Sequence, residues 1–206
     1  MNLPRPSKIV CVGRNYLEHA RELGNDVPER PLIFLKPSSA LARDGDAIVL
    51  PAASGQVEHE GEIALVIGTR ARNVSAATAW EYVAGVAPLN DVTARDLQKL
   101  DGQWTRAKGF DTFCPIGAAV PIAEADREGL EVICRVNGEV RQHGRASEMA
   151  FSIPILIEYI SAVMTLEPGD VIATGTPAGI SKLSPGDVVE VEIPGVGKIS
   201  NPVRDA

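Results

Sequence analysis

Hydrophobic positions along this chain fall mostly in short alternating or continuous runs, bounded by glycine, proline and acidic turn residues. Such runs predict strands over residues 8–12, 32–35, 47–50, 57–67, 83–89, 131–136, 171–174 and 188–193. Asn137-Gly138, between two strand-like runs, marks a hairpin. Glu167-Pro-Gly-Asp170 and Ser184-Pro-Gly-Asp187 read as turns feeding strands. Helical character is confined to residues 15–23, closed by Gly24, and to 76–82, 93–100 and 153–166. Helices and strands do not alternate regularly, which disfavours a doubly wound sheet. The expected fold is β-rich α+β, a mixed sheet rolled into a barrel-like form with few helices.

Composition narrows the picture. A chain of 206 residues suits one domain. Aromatics make up only 4% of it, so the core must be built from aliphatic side chains. Twenty basic against 27 acidic residues give a net charge of −7, with no basic stripe to neutralise phosphates, so no nucleic-acid partner is expected. No run approaches the roughly 20 apolar residues of a membrane helix, and the apolar run 9–12 is too short for a signal-peptide core. Cys11, Cys114 and Cys134 are odd in number and widely spaced, which fits a reduced cytoplasmic protein rather than a disulfide scaffold or zinc ribbon.

The most informative segment is Val57-Glu-His-Glu-Gly-Glu-Ile-Ala-Leu-Val-Ile67. Strand alternation puts Glu60 and Glu62 on one face and His59, Ile63, Leu65 and Ile67 on the other. Two such glutamates alone equally describe a strand with one wet end. Asp91 ends a second apolar run, and three carboxylates at the ends of buried strands repel unless a cation or proton lies between them. All-oxygen ligation suits Mg²⁺ or Mn²⁺ rather than zinc. His59-Glu60 begins like a zinc-protease motif but Ile63 breaks it, leaving His59 as a core or supporting histidine. In Asp91-Val-Thr-Ala-Arg-Asp-Leu-Gln98, Thr93 is a candidate cap with Asp96 completing a weak capping box, and Arg95 and Gln98 share a helical face. That face either grips a substrate carboxylate or oxo group, or is simply solvated.

Taken in order, Gly13-Arg-Asn-Tyr16, His19 and Glu22, Phe34-Leu-Lys-Pro-Ser38, His59-Glu-Gly-Glu62, Asp91-Val-Thr-Ala-Arg-Asp96, Lys108-Gly-Phe110 and Thr174-Gly-Thr-Pro177 form a pattern over residues 8–202. This pattern resembles the fumarylacetoacetate hydrolase superfamily, in particular its small acylpyruvate hydrolase and oxaloacetate decarboxylase branch. The resemblance implies a β-roll, a homodimer, and one Mg²⁺ or Mn²⁺ held by Glu60, Glu62 and Asp91. It implies that His19 and Glu22 form a water-activating dyad on an N-terminal lid and that Lys108 is the active-site lysine. It implies that Arg95, Gln98 and Thr176 contact substrate, with Arg14 of the first motif beside them as a further substrate-binding candidate. Residues 1–206 then form one catalytic domain, with the lid helix in 1–45 and the metal-binding β-rich core in 46–206.

The reaction expected from that resemblance is hydrolysis of the C–C bond of a 2,4-diketo acid to pyruvate and a carboxylic acid. His19 deprotonates water, the C3–C4 bond breaks, and Lys108 helps to stabilise the enolate. Oxaloacetate decarboxylation reaches the same enolate without water attack. Isomerisation or decarboxylation of ring-fission products from aromatic catabolism, and a non-catalytic metal-binding protein, are the competing readings. Neither a nucleophile elbow nor a P-loop is present, and Gly195-Val-Gly197 is not followed by a helix. The loops 25–30 and 101–106 are expected to set the acyl group, with Arg21, Arg30 and Arg106 as candidate partners for a charged distal end.

Overall fold

Alternating apolar side chains build two mixed sheets that share one core. The structure is a computed structural model and describes residues 5–22, 24 and 28–206; Leu23 and residues 25–27, expected at the end of the first helix and in the loop after it, lie outside the described residues. The first sheet has six strands in the order Val120–Pro121, Val83–Asn90, Gly61–Ile67, Val171–Ala173, Ile9–Gly13 and Leu32–Lys36. Its neighbours run antiparallel except Ile9–Gly13, which lies parallel to Val171–Ala173. The second has five strands in the order Glu139–Arg145, Glu131–Val136, Val188–Ile193, Gly197–Asp205 and Ile48–Leu50. Ile63 and Leu65 of the first sheet and Cys134, Val191 and Ile199 of the second belong to the same buried cluster. The helix Ile153–Val163 contributes Ile153, Leu156, Ile157 and Ile160 to that cluster. The fold is thus β-rich α+β with mixed sheets and few helices.

Several expectations need correction at the level of elements. Residues 57–67 are not one strand. Val57–Glu58 pairs with Thr93–Ala94, whereas Gly61–Ile67 joins the large sheet. Side chains interrupt the ladder at the break: Glu60 N–H donates to Asn90 Oδ1 at 2.9 Å and Gly61 N–H to Gln142 Oε1 at 2.9 Å. Glu60 therefore leaves the alternation that was to align it with Glu62. Thr93 caps no helix; it lies in a strand, and its hydroxyl donates to Asp91 O at 2.8 Å. The helix begins at Arg95, and Asp96 turns away to accept from Ser54 Oγ at 2.6 Å and Gly55 N–H at 2.8 Å. Residues 76–82 form a 3₁₀ helix, and Gly197–Asp205 is a strand the pattern did not announce because polar and glycine residues dilute it.

Candidate active site

The site gathers where three neighbouring strands end. Glu62 comes from Gly61–Ile67, Glu60 from the break before it, and Asp91 from the residue after Val83–Asn90. One oxygen from each carboxylate lies within 4.8 Å of the others, and all three residues are buried. Thr174-Gly-Thr-Pro177 follows the adjacent strand Val171–Ala173, so Gly175 N–H donates to Glu62 Oε2 at 2.8 Å.

Three cations are buried against this cluster. Lys108 Nζ donates to Glu60 Oε2 at 2.7 Å and Asp91 Oδ2 at 2.6 Å, and lies 4.9 Å from the Phe34 ring centroid. Lys36 Nζ donates to Asp91 Oδ1 at 2.6 Å and Val92 O at 3.1 Å. Arg95 donates from Nε to Glu58 Oε2 at 2.7 Å, from Nη1 to Gln98 Oε1 at 2.6 Å, and from Nη2 to Glu60 Oε1. Four carboxylates, counting Glu58, thus face three cations. Among the described residues, Glu62 is the one of the four with no cation on its oxygens.

That imbalance sets the electrostatics. Burial, and then the charges of Asp91 and Glu60, push the Glu62 carboxyl well above its ordinary value. Burial would raise Glu60 too, but Lys108 and Arg95 outweigh it and hold Glu60 below the usual carboxylate range. Burial works against the Lys108 ammonium, yet Asp91 and Glu60 raise its pKa. A surplus buried carboxylate beside two oxygen donors fits a hard divalent cation such as Mg²⁺ or Mn²⁺, which would offset the repulsion that raises the Glu62 carboxyl.

The cluster forms the floor of a cleft of about 590 Å³. Glu60, Glu62, Asp91, Lys108, Arg95, Gln98, Thr176, His19 and Arg14 all line it, so the structure gathers nine of the ten residues singled out from the sequence. The tenth, Glu22, stands behind His19. The His19 Nδ1–H donates to Glu22 Oε2 at 3.1 Å, because a carboxylate only accepts, and among the described residues Nε2 has no hydrogen-bond partner. Glu22 Oε1 accepts from Gly179 N–H at 3.0 Å. No side chain fits at Gly179: its φ is +103°, and a Cβ would stand 1.9 Å from Arg141 O.

Thr176 is set from behind. Gln142 accepts at Oε1 from Gly61 N–H and His59 Nδ1–H, and donates from Nε2 to Thr176 Oγ1 at 2.7 Å and Pro177 O at 2.6 Å. The backbone partners fix which way the amide faces. Thr176 therefore spends its own proton on Gly61 O at 2.9 Å. His59 is held between Gln142 and Ser181, and burial lowers its pKa, as suits a neutral supporting imidazole.

Sequence reasoning gave no role to Lys36, Glu58 or Gln142. Lys36 was legible: Leu32 and Phe34 line the cleft, and period-two alternation puts Lys36 on their side of the strand. Gln142 carried no local signal, since its partners lie 34 to 83 residues away.

Residues 8–204 match the model of the fumarylacetoacetate (FAA) hydrolase C-terminal family. The chain belongs to this family. Among its relatives, the mitochondrial oxaloacetate tautomerase FAHD1 of Arabidopsis thaliana is 48% identical over 198 residues, covering 94% of this chain and 89% of the relative. The mitochondrial oxaloacetate decarboxylase of Dictyostelium discoideum is 43% identical, covering 92% and 89%. The crystal structure of 2-hydroxyhepta-2,4-diene-1,7-dioate isomerase from Mycobacterium marinum superposes with a TM-score of 0.89 at 48% identity, covering 98% of this chain and 75% of that one. This fumarylacetoacetate hydrolase family member has, among its described residues, no helix long and apolar enough to cross a membrane.

Proposed function

We propose that this family member is a divalent-cation-dependent enzyme that forms and discharges the enolates of 2-oxo acids. The observation that carries this reading is the His19–Glu22 pair on the same cleft as Glu60, Glu62 and Asp91. Those three carboxylates would hold Mg²⁺ or Mn²⁺, which when bound supplies Lewis-acid polarisation of the 2-oxo group. His19, kept as the Nδ1–H tautomer by Glu22, accepts a proton at Nε2. Taken from C3 of oxaloacetate, that proton opens keto–enol interconversion. Taken from water, it opens attack on the 4-oxo carbon of an acylpyruvate, after which the C3–C4 bond breaks to give a carboxylic acid and the enolate of pyruvate. Lys108 has two of its three N–H bonds in Glu60 and Asp91, leaving the third for the enolate oxygen.

The relatives' names favour oxaloacetate chemistry, and the dyad supports acylpyruvate hydrolysis equally. Ring-fission isomerisation would use the same base. A homodimer in the cytoplasm completes the reading, which light scattering on the purified protein tests for its dimer part. The primary experiment supplies acetylpyruvate or oxaloacetate with Mg²⁺ and follows pyruvate release and loss of enol absorbance. Activity on at least one substrate is expected to vanish with EDTA and in Glu60→Ala. His19→Ala should abolish hydrolysis and tautomerisation while sparing more of the decarboxylation. Equal loss of all three would refute the separate role of His19, and EDTA-resistant turnover would refute the cation.

A further inference from the structure

Among the described residues, two of the cations that line the cleft, Arg14 and Lys99, have no carboxylate partner. Lys108, Lys36 and Arg95 are matched to carboxylates. Two of the three arginines nominated for a distal anion are also engaged: Arg106 Nε donates to Asp101 at 2.8 Å, and Arg21 to Glu18 at 2.7 Å. The third, Arg30, is exposed and takes no part in the lining. Arg14 lines the cleft and is half-buried, but among the described residues its guanidinium has no hydrogen bond or ion pair. Its backbone sits at φ 57°, a left-handed conformation that a long side chain rarely adopts. Such outliers persist where surrounding structure imposes them, and they concentrate at ligand sites.

The charge balance gives Arg14 a purpose. The cluster below carries one surplus negative charge, and a bound divalent cation would turn this into one surplus positive charge. The carboxylate of a 2-oxo acid cancels that. Arg14 then leaves one positive charge uncancelled in a partly desolvated cleft, where a guanidinium favours a bidentate oxyanion. We propose that Arg14 receives a second carboxylate of the substrate, so that the cleft selects 2-oxo acids with an anionic tail over those with a neutral acyl tail. This rests on the reading that the carboxylate triad holds a cation and that the cleft takes 2-oxo acids. Lys99 also lines the cleft unpaired, but it is exposed, and solvent screens it.

Calorimetric titration with non-cleaved ligands in the presence of Mg²⁺ tests the subsite apart from turnover. 2-Oxoglutarate is compared with 2-oxopentanoate, and 2-oxoadipate with 2-oxohexanoate. The dicarboxylate of at least one pair is expected to bind about 10- to 100-fold more tightly. Arg14→Gln should erase that preference, weakening the dicarboxylate by about 10- to 100-fold more than the neutral ligand. Arg14→Gly should do the same and melt no lower than Arg14→Gln, since glycine tolerates the left-handed backbone. Absence of preference at both tail lengths, its survival in the Arg14 variants, or its loss in Lys99→Gln instead would overturn the assignment. Preference without turnover of acetylpyruvate or oxaloacetate would refute the proposed reaction and keep the subsite; turnover without preference would do the reverse. Failure of every ligand to bind would overturn both.

Discussion

At the scale of the residue, Glu62 is the pivot of the site. Its carboxyl is pushed above the ordinary 4.5 by burial and by the charges of Asp91 and Glu60, and its one backbone donor does not compensate. A folded-state pKa above the unfolded one means that Glu62's contribution to stability is complete below the unfolded value and is lost as pH rises through the folded value. A divalent cation competes with that same proton. Affinity for Mg²⁺ should therefore rise as pH rises through the raised folded-state value of Glu62, with protons released on binding. Calorimetry in buffers of different ionisation enthalpy measures that release, and Glu62→Gln should abolish it. A pH-independent affinity would mean that Glu62 is already ionised without the cation.

Elements are punctuated by a repeated device. In Arg43-Asp-Gly-Asp46, Glu167-Pro-Gly-Asp170 and Ser184-Pro-Gly-Asp187 the last aspartate accepts from the main-chain N–H three residues earlier, at 2.8, 2.8 and 2.7 Å. Each third-position glycine has positive φ, as a type II turn requires. Asp170 does more than close its turn. Its Oδ1 accepts from Ser7 Oγ at 2.6 Å and Lys8 N–H at 3.1 Å, and its Oδ2 pairs with the Lys8 ammonium. The first strand is thereby fastened to its parallel partner. Burial would raise the Asp170 carboxyl, but these donors hold it below its ordinary 3.8. Its stabilising contribution is present above the unfolded value and is lost as pH falls through the lowered folded one. Asp170→Asn should cost about 1–3 kcal/mol near neutrality. Urea melts at falling pH should show that cost shrinking; a constant deficit would assign it to the hydroxyl and amide contacts alone. The two Pro-Gly-Asp turns and the Asn137-Gly138 hairpin were legible because glycine, proline and aspartate encode such geometry locally; the turn at Arg43–Asp46, which lacks the proline, was not read. The break at His59-Glu60 was not, because the groups that interrupt the ladder come from Asn90 and Gln142.

Across the whole molecule, the candidate cation site ties together segments that lie far apart in the chain. Glu60 lies just before the strand Gly61–Ile67 and Glu62 within it; Gly175 follows the neighbouring strand on one side, and Asp91 follows the neighbouring strand on the other. A cation held by all three binds the folded state far better than the unfolded one. Mg²⁺ at about 100 times its dissociation constant should therefore add roughly 2.7 kcal/mol to stability, read as a rise in Tm that EDTA reverses. No shift in Glu60→Ala and a full shift in the parent protein would assign that stability to this site, whereas an equal shift in both would place the cation elsewhere.

The β-rich α+β character, the Pro-Gly-Asp turns, the carboxylate segment and the ordered motifs of the family can be read from the chain alone, because each is written in neighbouring residues and in the period of the backbone. Tertiary structure decided which charge meets which. Lys36, Lys108 and Arg95 reach their carboxylates across 17 to 55 residues of chain. Charge pairing depends on distances of a few ångströms between such segments, and only the packed sheets set those distances. Among the described residues, they leave Glu62 without a cation and Arg14 without an anion.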